Sequence, residues 1–421
     1  MGLFLYNVFL FFLRAGIGIA ALWNPKARLW IQGRRNWQQQ IINWKKNNLL
    51  SQVVWMHCAS LGEFEQGRPV IEKIKLQYPD CKIIISFFSP SGFQVRKNYP
   101  EADMVCYLPV DSKKNAALFI DTLKPSLVIW VKYEYWYYFL QQLHQANIPV
   151  LLISAIFRHG QPFFKWYGEI WKKMLSFFRI IFVQNPQCLA LLSSIKNIST
   201  PELAGDTRFD RVVDFAENNI QTIKIVKDFC ADMPVIVAGS TWPEDEKLLL
   251  HYANANPGIK FIIAPHEIGT THLHEIKKAF HNSAFYSSLQ HHTDLASSLH
   301  VLIIDNIGML AGLYAYATLT YIGGGFGEDG IHNTLEAAVY GKPVVFGREY
   351  EKFAEATGLV ACGAAFSVSN ALQLEACFNQ LLSDESMLQK SSSAAKKYVY
   401  AKQGATQKIL TYIAENRLLT N

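Results

Sequence analysis

In this chain of 421 residues, the side chains able to do chemistry sit in short runs where glycine, hydroxyl and charged residues interrupt apolar sequence. The most informative run is Tyr321-Ile-Gly-Gly-Gly-Phe-Gly-Glu-Asp-Gly-Ile-His-Asn-Thr-Leu-Glu336, which reads as a buried strand, a glycine-rich turn and a helix start. Glycines let the backbone approach a ligand closely, and the first N–H groups of a helix, backed by its macrodipole, favour an anion. A phosphate fits there, with Glu336 placed to accept hydrogen bonds from sugar hydroxyls of the same ligand. Two alternatives stay open. The turn is a tight connection capped by Asn333, or Gly325, Gly327 and Gly330 are the G-x-G-x-x-G of a dinucleotide site, with the acid Glu349 about 20 residues on.

A second group lies in the first half. Cys58-Ala-Ser60-Leu-Gly62-Glu63 ends an apolar run and opens a helical pattern, which puts Glu63 at the carboxyl edge of a sheet, where open α/β folds bind ligands. Glu63 there is either a working carboxylate, with Gly62 letting a substrate come close, or the acid of a Ser60-x-x-Glu63 capping box. Ser86 to Gly92 offers hydroxyls to a sugar acceptor, or simply a helix cap. Lys132-Tyr-Glu134-Tyr-Trp136 sets two charges among aromatics, two apart on one strand face, either for chemistry or for mutual pairing. In Gly205 to Asp210, the Arg208 guanidinium suits a phosphate or carboxylate unless it is a plain surface loop arginine. Gly239-Ser240-Thr241, Pro265-His266 and Gly308-Met309-Leu310 each follow a strand-like run, and backbone groups of the last could read a pyrimidine edge.

No D-x-D, H-E-x-x-H, G-x-S-x-G or G-x-x-x-x-G-K-[ST] motif occurs, so a metal-free reaction without a cofactor is expected, and neither a hydrolase nor a P-loop kinase. The net charge of +6 is dispersed among many aromatics, which suits an anionic membrane or phosphorylated substrate and requires no nucleic acid. Seven cysteines without C-x-x-C spacing point to a reducing compartment.

The elements that must position these residues follow from hydrophobic patterning. Leu3 to Leu13 and Ala15 to Trp23 are apolar, separated by Arg14, and together barely span a bilayer. An anchor is expected, with a shallow interfacial helix as the alternative. Lys26, Arg28, Arg34, Arg35, Lys45 and Lys46 follow and, by the positive-inside rule, keep the body cytoplasmic. From Val53, β-rich runs alternate with amphipathic segments: Val53–His57, Lys82–Phe88, Met104–Leu108, Leu127–Val131, Val150–Ile156 and Ile180–Val183. They resume with Val235–Ala238, Ile259–Ala264, Val301–Ile304, Leu319–Gly323 and Pro343–Phe346. This rhythm predicts two doubly wound α/β halves. The expected division is an anchor over 1–25, domains over 26–215 and 216–388, and C-terminal helices over 389–421 that return to the first domain.

Taken together, these motifs resemble the 3-deoxy-D-manno-octulosonic acid (Kdo) transferases of lipopolysaccharide synthesis. The resemblance covers almost the whole chain: the N-terminal anchor, Ser-Leu-Gly-Glu63, Glu134-Tyr-Trp136, Gly205 to Asp210, Pro265-His266, Gly308-Met309-Leu310 and His332-Asn333-Thr334-Leu335-Glu336. It implies a GT-B architecture, two Rossmann-like domains facing across a cleft, at the cytoplasmic face of the inner membrane. It further implies metal-independent, inverting transfer of Kdo from CMP-Kdo to lipid IVA. Glu63 would be the general base. Arg208 would stabilise the leaving phosphate, and Pro265, His266, Gly308, Met309, Leu310, Asn333, Thr334, Leu335 and Glu336 would hold CMP. The chain departs from the family pattern where Lys132 replaces the first Glu of E-x-E-x-W-P-N and Tyr137-Tyr138 replace Pro-Asn. Arg208 stands where Lys is usual, His266 where Arg is, and Met309 where Glu is. Lys132 would then serve an anionic sugar directly. The rivals are a metal-free GT-B transferase with another nucleotide sugar, a nicotinamide-dependent oxidoreductase, and a membrane-tethered binding protein that retains the pocket without turnover.

Overall fold

The structure is a computed structural model that describes residues 2–49, 51–218, 222–290, 293–328 and 330–420. Residues 219–221, just past the expected domain boundary at 215/216, and Asp329 of the glycine-rich turn lie outside the described residues. Chain contacts gather into two units, residues 1–210 with 403–421, and residues 211–402.

The first unit is built on a sheet of β1 (Val53–Cys58), β2 (Lys82–Phe87), β3 (Met104–Tyr107), β4 (Leu127–Val131), β5 (Val150–Ala155), β6 (Ile180–Val183) and β7 (Pro201–Leu203). Their order is β3-β2-β1-β4-β5-β6-β7, and every pairing is parallel. All residues of β1, β4, β5 and β6 are buried, the near-continuous apolar run that a parallel sheet needs when helices cover both faces. Side chains alternate between two cores: Val53, Trp55, Val128 and Trp130 on one side, Val54, Met56, Leu127 and Ile129 on the other. The C-terminal helix Ala405–Glu415 joins the second of these through Ala405, Ile409, Leu410 and Ile413. Asp210 holds its start by accepting from the Gly404 and Thr406 N–H groups.

The second unit repeats the plan with β8 (Val235–Thr241), β9 (Lys260–Pro265), β10 (Ser283–Phe285), β11 (Val301–Ile303), β12 (Leu319–Ile322), β13 (Val344–Gly347) and β14 (Ala365–Val368). Their order is β10-β11-β9-β8-β12-β13-β14, again parallel throughout. The strand order reverses between β1 and β4 in one sheet and between β8 and β12 in the other. Those two switch points are where an open α/β sheet offers a crevice to ligands.

The eleven strands expected from patterning are present with ends within three residues, the largest difference being β8, which runs on from Ala238 to Thr241. The three that patterning missed, β7, β10 and β14, each form a sheet edge and are partly exposed, so they carry no long apolar run. The structure corrects two further expectations. The helix after the glycine-rich turn is a single turn, Leu335–Ala338, because Gly341 takes a left-handed φ of +67° and Pro343 leads into β13. A four-residue helix has little macrodipole, so an anion there would depend on local N–H groups. Lys132 and Glu134 do not share a strand face either: β4 ends at Val131 and both lie in the turn beyond it, with Lys132 at φ +62°.

The N-terminal helix, α1 (Gly2–Ala20), is apolar and long enough to cross a bilayer by length and composition. Arg28 from the next helix donates to the Ala21 and Leu22 carbonyls just beyond its end, at 2.8 and 3.1 Å. Arg34, counted by patterning among the basic residues flanking the anchor, is buried instead. It lies 3.9 Å over the Trp30 ring and donates to the Leu108, Trp30 and Phe88 carbonyls, and burial lowers its pKa to about 9.

Candidate functional site

At the switch point of the first sheet, β1 leads through Cys58-Ala-Ser60 into the helix Leu61–Gln77, and β4 leads into the turn 132–136. Glu63 lies in the first turn of that helix, 8% exposed, with its carboxylate accepting from the Ala59 N–H. The full capping box does not form: Ser60 is the N-cap residue, but its hydroxyl makes no cap hydrogen bond, and the Glu63 carboxylate reaches the Ala59 N–H one residue before it. Burial pushes the Glu63 carboxyl up to about 7, against the Ala59 N–H, which holds it down; Glu134 nearby raises it further and Lys132 opposes this. A carboxylate titrating near neutrality suits a general base. A Cβ added at Gly62, one residue earlier, would meet nothing within 4 Å, so protein packing does not require that glycine.

A buried relay supports the turn. His57, fully buried on β1, places Nδ1 2.9 Å from Ser86 Oγ and Nε2 2.9 Å from Glu134 Oε2. Trp55 Nε1 donates to Ser86 Oγ at 2.8 Å, and Trp136 Nε1 donates to Glu134 Oε2 at 3.0 Å. Glu134 is thereby held by two side chains while it remains near Glu63. Lys132 lies beside Tyr133, its Nζ 5.0 Å from the ring centroid. A non-glycine residue at positive φ costs about 1 kcal/mol or more, and such strain clusters at functional sites. Burial raises the Tyr133 hydroxyl, with Arg158, Glu63 and Arg208 close enough to act on it, so Arg208 belongs to the same neighbourhood as Glu63. The Arg208 guanidinium donates to Asp206 Oδ2 through Nε at 3.0 Å and Nη2 at 2.7 Å. That ion pair fixes its direction and offsets part of its charge.

At the switch point of the second sheet, three rings from three strand ends stack. Trp242 follows β8, His266 follows β9, and His332 stands in the segment after β12. The ring centroids of Trp242 and His266 are 4.8 Å apart, and those of His266 and His332 4.3 Å apart. Trp242 Nε1 donates to His332 Nε2 at 3.1 Å, which makes that nitrogen an acceptor. Beneath the stack, buried Asp245 accepts from the Trp242 N–H at 2.9 Å, the Tyr321 hydroxyl at 2.7 Å and the Gly324 N–H at 2.9 Å. One carboxylate therefore ties the helix Pro243–Ala255, β12 and the glycine-rich turn together.

Of the remaining candidates, Pro265 ends β9 beside Thr241, and Leu310 and Tyr314 crowd Gly239 near the end of β8. Gly308 is at φ +100°, and Met309 Sδ accepts from Asn306 Nδ2 at 2.9 Å. Asn333 accepts from the Leu335 N–H at 3.1 Å and donates to Glu336 Oε1 at 3.0 Å. Thr334 and Leu335 are fully buried, and among the described residues the Thr334 hydroxyl finds no hydrogen-bond partner. The turn glycines have a packing reason of their own: a Cβ on Gly323 would come 2.2 Å from the Ser240 carbonyl oxygen, and one on Gly325 2.5 Å from the Gly347 nitrogen. Among the described residues, no three His, Cys, Asp or Glu side chains gather as metal ligands do.

Sequence reasoning missed His57, Arg158, Trp242 and Asp245 as site residues, and placed His332 only in the helix start at 332–336, without its ring stack. Trp242-Pro243 with Asp245 was legible as a helix start, Pro at the first position and an acid at the third. Nothing in spacing brings rings from residues 242, 266 and 332 together, because only the sheet order does so.

A family model described as 3-deoxy-D-manno-octulosonic-acid transferase (kdotransferase) matches residues 34–211. The chain is 23% identical over 380 residues to a 3-deoxy-D-manno-octulosonic acid transferase of Haemophilus influenzae, covering 85% of this chain and 86% of that one. It is 24% identical over 310 residues to a bifunctional glycosyltransferase/methyltransferase of Fusobacterium nucleatum, covering 70% of this chain and 47% of that one, about half the relative's length. Among solved structures, a UDP-GlcNAc 2-epimerase of Neisseria meningitidis aligns with a TM-score of 0.58 and 19% identity, covering 86% of this chain and 100% of that one. That likeness is one of fold: two Rossmann-like units of the GT-B type.

Proposed function

We infer the reaction from one premise, that this chain belongs to the 3-deoxy-D-manno-octulosonic acid (Kdo) transferase family. The protein moves Kdo from CMP-Kdo to a hydroxyl of lipid IVA, at the cytoplasmic face of the inner membrane and without a metal. Glu63 takes the proton of the acceptor hydroxyl while its oxygen forms a bond to the anomeric carbon. The bond from that carbon to the phosphate oxygen breaks with inversion, and CMP leaves with the electron pair. What carries the reading is a buried carboxylate raised to about 7 at a switch point, beside a glycine that packing does not require.

Arg208, aimed by Asp206, and Lys132, strained beside Tyr133, are the cations offered to the leaving phosphate and the sugar carboxylate. CMP is held in the second unit by Pro265, His266, Gly308, Met309, Leu310, Asn333 and Glu336, while the buried Thr334 and Leu335 shape the segment that carries Asn333 and Glu336. The Trp242–His266–His332 stack gives the base an aromatic face. His266 supplies a ring where the family usually supplies a guanidinium, so recognition here leans on stacking.

The test is transfer from CMP-Kdo, generated in situ, to lipid IVA in detergent without divalent metal, read by mass spectrometry for wild type and Glu63→Ala. Products heavier by whole Kdo units, absent in a folded mutant that still binds CMP, are expected. A wild type that transfers a different sugar from a donor panel sinks the CMP-Kdo assignment, and an active Glu63→Ala sinks the base.

A further inference from the structure

Helix α1 passes the length and composition test for a membrane span, yet one face of it is part of the globular core. Tyr6 and Leu10 are buried and Leu13 packs on the same cluster, a stripe at i, i+4 and i+7 that defines one helix face. The Tyr6 hydroxyl donates to Asp111 Oδ2 at 2.5 Å and accepts from the Tyr137 N–H at 3.1 Å. Tyr138 donates its hydroxyl to Asn7 Oδ1 at 2.8 Å. Asp111 is itself buried and accepts from the Tyr138 and Phe139 N–H groups at 3.0 and 3.1 Å, capping the helix Tyr137–Gln145. Crossing a bilayer would mean either dragging Asp111 and this helix start into hydrocarbon or leaving the carboxylate without its tyrosine, and both are costly.

The opposite face is apolar and open: Phe4, Leu5, Phe9, Phe11, Phe12 and Ile19 are all more than half exposed. At about 100° per residue these side chains span the arc away from Tyr6 and Leu10, while Asn7 and Arg14 fall together on one flank. Arg14 thus sits beside the apolar arc, where it can snorkel, rather than within a span. Charge points the same way. The first 62 residues contain seven Lys and Arg (14, 26, 28, 34, 35, 45 and 46) and no Asp or Glu. Arg14, Lys26 and Arg35 are exposed.

We propose that α1 lies in the plane of an anionic phospholipid bilayer, its outer face sunk in the interface and its inner face docked on the first unit, and does not cross the membrane. The docked face ends at Tyr137, next to the turn that carries Lys132 and Glu134. On the reading that the acceptor is a lipid, this arrangement lets the bilayer deliver it without extraction.

Two measurements on the full chain decide the matter. With an N-terminal epitope, protease should remove the tag from inverted inner-membrane vesicles and leave it in intact spheroplasts; removal only from spheroplasts means a span and overturns the proposal. In flotation with phosphatidylglycerol-containing vesicles, Phe4→Glu with Phe12→Glu should weaken binding at least tenfold, with CMP binding and Tm unchanged. Unaltered vesicle binding also overturns it. The same double variant should lose transfer to acceptor in vesicles and keep it in detergent. A wild type that binds vesicles but transfers no Kdo in either medium counts against the reaction, not against the docking.

Discussion

At the scale of the residue, Glu63 decides most. Its carboxyl is raised to about 7 chiefly by burial, so a base role requires kcat/KM to climb with pH below about 7 and to level above it. Glu63→Gln should lower kcat/KM about 10² to 10⁴-fold and abolish that limb of the profile, measured by initial rates from pH 5.5 to 8.5. The same shift has a stability consequence. A folded pKa above the unfolded 4.5 means that the folded state holds the proton more tightly, so stability is fully present below 4.5 and is lost as pH rises through about 7. The loss is on the order of 3 kcal/mol. Glu63→Gln, which cannot ionise, should therefore gain in Tm over wild type between pH 5 and pH 8. Equal Tm differences at both pH values would mean that Glu63 is already ionised and serves only its helix. Ser60-x-x-Glu63 was legible as a motif, but the choice between cap and base needed burial, which spacing cannot report.

At the scale of the element, glycines divide into two classes that look alike in sequence. Gly62→Ala adds a methyl to open space in a helix, so Tm should hold or rise, by about 0.5 to 1 kcal/mol in stability, while transfer falls if the acceptor passes there. Unchanged kcat/KM in that variant would remove Gly62 from the site. Gly323→Ala should do the reverse: its Cβ meets the backbone of Ser240, so the second unit should lose stability and CMP binding together, read by thermal melts and calorimetry. The G-x-G-x-x-G spacing at 325–330 was readable, and so was its ambiguity. The structure gives Gly325 a packing duty against Gly347, because β12 and β13 run side by side there.

At the scale of the whole molecule, two parallel sheets each bring remote segments to a switch point, and ligand binding should report on the second unit. CMP at a hundred times its Kd should stabilise that unit by about 2.7 kcal/mol, seen as an upward Tm shift, and NADH should give none. His266→Ala removes the middle ring of the stack, worth about 0.5 to 1.5 kcal/mol per aromatic pair, and should weaken CMP roughly two- to tenfold or somewhat more. An undiminished affinity would place the base elsewhere. The alternation of apolar runs with amphipathic segments determined the α/β class and eleven of the strands, because a strand covered on both faces must be apolar along its length. The ordered motifs carried the resemblance to the Kdo transferases. Only the tertiary structure decided that Lys132 and Glu134 leave the strand, that His57 holds Glu134, that three rings stack at the second switch point, and that α1 is docked. Each of these depends on contacts between segments far apart in the chain, and local periodicity carries no record of which strand will lie beside which.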